Sequence, residues 1–233
     1  MVTKIIAIDG IHRSGKNTQL SLLQEKIQQL WYEVFTLRWE YYREWNGIDT
    51  LTDPYSSWWQ EHKHCDSYDL KSQRLQRELY HFFHKKLPSY CKENNIEKSV
   101  VLLERSIVWR YLFKHWEKES HENIEQFRYG KNEKYIQNVT IPDVIFVLQP
   151  SKSEILQRLT NNKKNISNDI PRENIRQNYK EQYIPQKYDM YYKGLEIIPQ
   201  KIKNNIHHIK SDMDIATIHH NIREKTEKIL MGN

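Results

Sequence analysis

Continuous apolar runs of strand length recur along this chain, and segments of helical periodicity separate them. The runs occupy residues 5–9, 34–37, 100–104, 144–148 and, more weakly, 206–209. Because each run is continuous rather than alternating, it suits a strand that is buried on both faces. Strands that alternate with helices predict an α/β fold, in which a mostly parallel five-stranded sheet carries helices on both sides. Ligands of such sheets gather at the carboxyl ends of the strands.

Three segments carry an apolar stripe at helical spacing. The stripes consist of Leu20, Leu23, Ile27 and Leu30, of Leu75, Leu79, Phe82 and Phe83, and of Ile215, Ile218, Ile222 and Ile229. The third stripe follows Ser211, Asp212 and Asp214, and each of these side chains is suited to cap a helix N-terminus. We interpret Phe82 and Phe83 as core residues, because large aromatic side chains are mostly buried.

The sequence GIHRSGKN, residues 10–17, lies between the first strand run and the first helical stripe. Its two glycines allow the backbone to fold back so that successive N–H groups converge on phosphate oxygens, and the N-terminus of the next helix adds partial positive charge. Lys16 would reach the terminal phosphates of a bound nucleotide. This pattern predicts a nucleotide-binding loop, and the alternative is a glycine turn without a ligand. The residues predicted to bind the nucleotide are Gly10, Ser14, Gly15, Lys16, Asn17 and Thr18.

Asn17 occupies the position at which this loop pattern usually has Ser or Thr. Mg²⁺ prefers hard oxygen ligands, and an Asn carbonyl oxygen can supply one, although the amide is longer than a hydroxyl and also carries a donor. We therefore predict that Asn17 contributes to a weakened rather than an abolished metal site. Thr18 lies one residue further round the helix and is not assigned to the metal.

Length, charge and cysteine content limit the number of domains, the kind of ligand and the cell compartment. The 233 residues fit one domain, and 36 Lys plus Arg against 30 Asp plus Glu leave a net charge of +6, which favours a polyanionic ligand. The sequence has only two cysteines, Cys65 and Cys91, which are too few for a disulfide framework. This cysteine content indicates a reducing compartment. The sequence contains neither an apolar run of about 18 residues nor a signal-like N-terminus, so we expect a cytoplasmic protein without a membrane segment.

The stretch IAIDGIHRSGKNTQ resembles the N-terminus of thymidylate kinases, whose loop follows the pattern G-x-D/E-x-x-G-K-x-T-Q. The resemblance implies a three-layer P-loop kinase fold that uses ATP and Mg²⁺. In one branch of the family an Arg at the position of Arg13 assists phosphoryl transfer from within the loop, which implies a catalytic role for Arg13 beside Lys16. His12 stands where the family has an acid that contacts the acceptor, and so counts as a substrate-binding position.

A second motif, VVLLERSIVWRYLF at residues 100–113, ends a strand run in Glu104 and Arg105. It is similar to the Asp-Arg-Tyr of thymidylate kinases and closer to the Glu-Arg-Ser of the related deoxynucleoside kinases. An acidic residue at this strand end can hold Mg²⁺, and the adjacent Arg can bind the acceptor phosphate or steady the transferred group. A salt-bridged strand terminus is the simpler alternative.

Both families continue with a buried strand, a helix, a lid and a further helix, which correspond here to residues 142–183. By this resemblance Arg158 packs against the adenine, and Lys164 takes the place of a lid arginine in a flexible lid at roughly 158–172. A lid poor in Arg, together with Arg13 in the loop, matches the branch that provides the catalytic cation from the loop. The alternative for Lys164 is a solvated loop charge.

The acceptor pocket is expected within residues 38–84. By resemblance, Arg38 lies near the phosphate-gripping Arg of thymidylate kinases, whereas Glu40 corresponds to the general base of deoxynucleoside kinases. Tyr80 fits the aromatic residue that stacks on the base, and His84 occupies the place of an Arg beside the base. A nucleoside hydroxyl gains from a general base, whereas a phosphate acceptor needs cations, so the two interpretations imply different substrates.

The leading hypothesis from the sequence is a kinase that transfers the γ-phosphoryl group of ATP to a deoxynucleoside monophosphate similar to dTMP. Two alternatives remain: a deoxynucleoside kinase that uses Glu40 as its base, and a non-catalytic protein that binds nucleotide or nucleic acid. We favour a basic surface around an ATP site as the origin of the net charge, so nucleic acid is not the expected partner. The family likeness implies a homodimer.

Overall fold

The computed structural model describes residues 2–11, 13–38, 82–106, 108, 140–161 and 184–232. These residues contain a five-stranded, wholly parallel sheet with the strand order β2-β3-β1-β4-β5. The strands are β1 (Val2–Asp9), β2 (Glu33–Arg38), β3 (Lys98–Glu104), β4 (Val144–Gln149) and β5 (Ile206–Lys210). All five strand predictions are therefore confirmed. The first strand lies at the centre because its apolar residues are buried from both sides.

Helices connect the strands and form the outer layers. They are α1 (Lys16–Gln28), α2 (Leu87–Glu93), α3 (Lys152–Asn161), α4 (Ile184–Gly194), α5 (Gln200–Lys203) and α6 (Ile215–Met231). A π-helical turn, Phe82–Lys86, leads into α2, and a 3₁₀ turn, Leu195–Ile197, follows α4. Among the described helices, none combines the length and the apolar character that a bilayer span needs.

Alternate residues of β1 face opposite layers, which gives the molecule three layers. On one side, Ile6 and Ile8 pack in a cluster with residues of α1 and α6, including Leu23 and Ile222. On the other side, Ala7 packs in a cluster with residues of α3, α4 and α5. A third cluster joins β2 and β3 to the π-helical turn and α2. The predicted α/β fold with helices on both faces of the sheet is confirmed.

The predicted core contribution of Phe82 and Phe83 is confirmed, since both are buried and their rings meet edge to face at 5.1 Å. Cys91 is a buried free thiol, and burial raises its pKa. Leu75 and Leu79, which were assigned to the same stripe, lie outside the described residues.

Two members of the predicted helical stripes do not sit in the core. Ile215 is 57% exposed because it is the first residue of α6, where the chain has only begun to turn toward the sheet; Ile218 and Ile222 are buried as predicted. Leu30 follows the end of α1 and is half-buried. Of the three proposed capping residues, Asp214 caps α6 by accepting the Thr217 N–H at 2.9 Å.

Candidate active site

The loop after β1 has backbone conformations that its glycines make possible. Gly10 has φ 139° and Gly15 has φ 101°, in a region that residues with a Cβ rarely adopt. A Cβ on Gly10 would lie 2.6 Å from the Ser14 Oγ and 3.0 Å from the Leu148 carbonyl oxygen, whereas at Gly15 the nearest atom would be 3.8 Å away. The chain therefore needs glycine at position 10 for space and conformation, and at position 15 for conformation.

Lys16 is the first residue of α1, and its ammonium lies against the loop. The side chain is 5% exposed, and Nζ donates to the Ile11 carbonyl oxygen at 2.8 Å. The Ser14 N–H donates to the same carbonyl oxygen at 3.2 Å, which closes the turn. A buried ammonium at a helix N-terminus creates a strongly positive point at the mouth of the loop.

Glu104 ends β3 and faces the first turn of α1. The sheet register pairs it with Ile8 of β1 and with Arg38 of β2, so it lies at the carboxyl edge beside the loop. With its amide nitrogen turned toward this carboxylate, Asn17 donates to Oε1 at 2.8 Å and to Oε2 at 3.1 Å. This orientation suits both groups, because a carboxylate offers only acceptors.

The pair formed by Asn17 and Glu104 also fits a magnesium ion. If the amide turns over, its oxygen lies at the same two distances from the carboxylate oxygens, close to the ~2.9 Å between neighbouring oxygens of octahedral Mg²⁺. Within the described ranges, no group of three or more His, Cys, Asp or Glu side chains is arranged to hold a metal. Phosphate oxygens and water would have to complete such a site, as is usual for Mg²⁺.

Asp9 connects the loop to the end of β3. It is fully buried, accepts the Ser106 N–H at 2.7 Å and the Ser106 hydroxyl, and also accepts the Gly10 N–H at 3.3 Å. Arg105, which lies between the end of β3 and Ser106, adopts φ 68° and donates its N–H to the Ile8 carbonyl oxygen at 3.0 Å. Asp9 was not identified from the sequence, although a carboxylate that ends a buried strand run beside a glycine loop is a signal that could have marked it.

Two tyrosines of α4 contact the ends of β1 and β4 next to the site, and neither was identified from the sequence. Tyr191 is fully buried beside the Asp9 carboxylate, and burial, followed by this negative charge, raises its pKa well above the ordinary value. Tyr192 donates its hydroxyl to the Leu148 carbonyl oxygen at 2.7 Å, and burial raises its pKa as well. Both phenols therefore stay neutral and serve as hydrogen-bonding groups.

Arg158 of α3 lies across the outer side of the loop. Its Nε donates to Glu154 Oε1 at 2.7 Å, and one terminal nitrogen donates to the carbonyl oxygens of Arg13 and Ser14 at 3.3 and 3.2 Å. The other terminal nitrogen donates to the Ser211 carbonyl oxygen at 2.6 Å. Ser211 immediately follows β5, so this one side chain joins the loop to the carboxyl end of β5.

The loop from Arg13 onward, the charged end of β3 and Arg158 line one cleft of about 520 Å³ at the carboxyl end of the sheet. From the predicted site it brings together Arg13, Ser14, Gly15, Lys16, Asn17, Thr18, Glu104, Arg105 and Arg158. Its further lining residues are Gln19, Glu154, Met213, Asp214, Ile215 and Ile218. Four cationic side chains against three carboxylates favour a polyanion, and the apolar end formed by Met213 and Ile215 suits a planar base.

The predicted acceptor residues are largely not described by the structure. His12, Glu40, Tyr80 and Lys164 lie outside the described residues, and Arg38 is described only as the backbone that ends β2. His84 is exposed on the π-helical turn and is not among the residues that line the cleft. The start of the predicted lid, as far as Asn161, is the end of α3.

No protein-family model matches this sequence, and a search of curated protein sequences finds no match. Among solved structures, the chain is similar to thymidylate kinase from Ehrlichia chaffeensis, with a TM-score of 0.51, 17% identity, and coverage of 97% of this chain and 100% of that one. It is also similar to thymidylate kinase from Candida albicans, with a TM-score of 0.56, 18% identity, and coverage of 97% and 92%. Both similarities are of fold and extend over nearly the whole chain, and they confirm the fold that the sequence motifs imply.

Proposed function

We propose that this chain is an ATP-dependent nucleotide kinase that transfers the γ-phosphoryl group of ATP to a deoxynucleoside monophosphate. The observation that carries the proposal is the position of Lys16, whose buried ammonium lies against the Ile11 carbonyl in a glycine loop that opens onto the same cleft as Glu104 and Arg105. A loop of this kind at the carboxyl end of a parallel sheet suits a nucleoside triphosphate.

Phosphoryl transfer needs little covalent chemistry from the protein, so positioning and charge decide the rate. In this proposal the loop amides and Lys16 bind the donor phosphates. Arg13 stabilises the negative charge on the transferring group from within the loop, and Arg105 binds the acceptor phosphate. All three cations line the cleft, which supports these roles.

Asn17 and Glu104 are the residues that would hold Mg²⁺, which neutralises charge on the donor phosphates when bound. Their spacing supports this assignment, and their mutual hydrogen bonds in the alternative amide orientation predict weaker metal affinity than a hydroxyl at position 17 would give. Arg158, Met213 and Ile215 line the part of the cleft that we assign to the adenine.

The acceptor is proposed to be similar to dTMP. Arg38 and His12 would bind its phosphate and sugar, and Tyr80 and His84 would bind its base. Because the Candida albicans thymidylate kinase is described as having broad substrate specificity, the acceptor should be tested as a panel. A single cytoplasmic domain, a lid at roughly 158–172 and a homodimer belong to the same proposal, and they rest on the resemblance to thymidylate kinases.

The test is release of ADP from ATP with each deoxynucleoside monophosphate and each nucleoside in turn. We expect turnover with monophosphates, highest with dTMP, and its loss in Lys16→Met. Lys26→Met is the matched control, because Lys26 lies on the same helix, does not line the cleft and pairs with Glu227 at 3.9 Å. Turnover with nucleosides alone would instead establish a deoxynucleoside kinase. Salt-sensitive binding of oligonucleotides without ADP release would refute both kinases.

A further inference from the structure

Arg158 connects three separate segments of the chain through its guanidinium group. Each of its three nitrogens donates a hydrogen bond: to Glu154 on its own helix, to the Arg13 and Ser14 carbonyls in the loop, and to the Ser211 carbonyl after β5. The side chain is 24% exposed and that of Glu154 is 28% exposed, so both are largely screened from water. The contacts with the loop span 145 and 144 positions of sequence.

The two loop contacts determine where the neighbouring amides point. In a trans peptide the C=O of one residue and the N–H of the next point in opposite directions. Holding the Ser14 carbonyl toward Arg158 therefore directs the Gly15 N–H away from Arg158. Arg13, whose carbonyl is the other acceptor, has φ 66°, a left-handed conformation that residues other than glycine seldom adopt. The guanidinium thus holds two consecutive peptide groups of the loop in a conformation that the sequence alone does not favour.

We propose that Arg158 is a positioning residue for the phosphate-binding loop, and that this role is independent of any contact it makes with the base of the nucleotide. The inference rests on the proposed function, because it requires a polyphosphate ligand in the loop. It differs from the role implied by the resemblance, in which this arginine packs against the adenine.

Inorganic triphosphate separates the two roles, since it has the phosphates of ATP but no base. The experiment measures its dissociation constant and that of ATP by calorimetry, for the full chain and its variants. In Arg158→Lys the positive charge remains, but one ammonium cannot span the four acceptors in planar geometry. We expect about tenfold weaker binding of both ligands.

A second variant separates positioning from electrostatic attraction. Glu154→Ala removes a negative charge that lines the cleft, so attraction alone predicts tighter binding of the anion. Loss of the carboxylate that holds the Arg158 Nε predicts the opposite, a several-fold weaker affinity for triphosphate. Alanine is a strong helix former, so α3 should remain intact.

The matched controls use an equivalent ion pair on α6. Arg223 and Glu227 have the same four-residue spacing with a 3.6 Å separation, and neither lines the cleft. Arg223→Lys and Glu227→Ala should leave triphosphate binding unchanged. Thermal unfolding of every variant checks that the fold is retained.

The results are distinguishable. If Arg158→Lys weakens ATP binding but leaves triphosphate binding unchanged, Arg158 acts through the base and the inference is wrong. If it changes neither, or if Glu154→Ala tightens triphosphate binding, the inference is also wrong, while the proposed kinase stands. Failure of the wild-type chain to bind either ligand would refute the proposed function and the inference together.

Discussion

Asp9 and Ser106 join the carboxyl ends of two neighbouring strands, because the fully buried Asp9 carboxylate accepts both the N–H, at 2.7 Å, and the hydroxyl of Ser106. This contact holds the residue that precedes the glycine loop against the residue that follows Arg105. This contact therefore ties the start of the loop to the charged end of β3.

Replacement of Ser106 by Ala should lower the free energy of unfolding by about 1.5–3 kcal/mol, because it removes a buried hydrogen bond to a charged group and the bond that the hydroxyl accepts from the Val108 N–H at 3.1 Å. Thr36→Val is the control: the Thr36 hydroxyl is also buried but donates to the neutral Gln24 amide at 3.1 Å, so it should cost less, about 1 kcal/mol. Denaturant unfolding compares the two. Equal costs would contradict a special contribution from the Asp9 carboxylate.

Gly10→Ala should destabilise the protein by more than about 2 kcal/mol and abolish ligand binding, since the added Cβ would lie 2.6 Å from the Ser14 Oγ in a backbone conformation unsuited to alanine. Gly232 also has positive φ, at 75°, but no atom lies within 4 Å of its added Cβ. Gly232→Ala should therefore cost about 1 kcal/mol and leave ATP binding intact. Unfolding measured without and with ATP gives the change in stability and the change in ATP binding. A smaller loss of stability in Gly10→Ala would contradict this prediction and show that the loop can rearrange.

Neutralising Arg13 as Arg13→Gln should lower kcat roughly 10³-fold if it stabilises the transferring group as an arginine finger does. The affinity for ATP should change less, because this contact strengthens in the transition state. Arg223→Gln, which neutralises a half-exposed arginine outside the cleft, should leave kcat unchanged. Equal losses of kcat and of ATP affinity would instead make Arg13 a simple binding residue.

Asn17→Asp would set two carboxylates about 3 Å apart and remove both hydrogen bonds to Glu104. We expect the variant to lose about 2 kcal/mol of stability in EDTA and to be stabilised by Mg²⁺ more than the wild type is. Ser21→Asp, at an exposed position of the same helix, should change stability by less than about 0.5 kcal/mol in either condition. Thermal unfolding in EDTA and in Mg²⁺ measures the stability of each variant. An Asn17→Asp protein whose stability does not change with Mg²⁺ would argue against a metal ion between Asn17 and Glu104.

Three histidines predict a loss of stability on mild acidification. Burial lowers the pKa of His207, His208 and His219, and the charges of Lys225 and Arg223 lower those of His207 and His219 further. Between these lowered values and about 6.5, the unfolded chain binds more protons than the folded one, so stability rises with pH in that range and falls as acid is added.

Replacing all three histidines with Gln should flatten the dependence of the unfolding free energy on pH between about 7 and 5. Carboxylates whose pKa is lowered, such as Asp214 and Glu224, titrate at lower pH and do not interfere in this window. A triple variant that remains as acid-sensitive as the wild type would show that other groups govern the response.

Local sequence was sufficient for the strands and for the centre of the site. Each predicted strand run lies within an observed strand, because continuous apolar runs between helical stripes have few other stable arrangements. Lys16 and Asn17 were predictable because a strand, a glycine turn and a helix that are contiguous in sequence place both residues where the loop meets the helix N-terminus. Ile215 belongs to the predicted stripe and yet is exposed, because periodicity does not show where a helix first meets the sheet.

Contacts between distant segments required the tertiary structure. Asp9 and Ser106 are 97 residues apart, and the strand register that sets Ile8 beside Glu104 is what brings them together. Tyr191 belongs to α4, on the side of the sheet opposite to α1. Its contact with Asp9 cannot be inferred from any local sequence pattern.

The sequence by itself determined the order of strands and helices and the chemistry of the glycine loop, because both depend on neighbouring residues and their backbone preferences. The tertiary structure decided which charges share the cleft and that Arg158 contacts the loop backbone. Such contacts depend on how layers pack across the sheet, and packing is set by the shapes of many side chains at once.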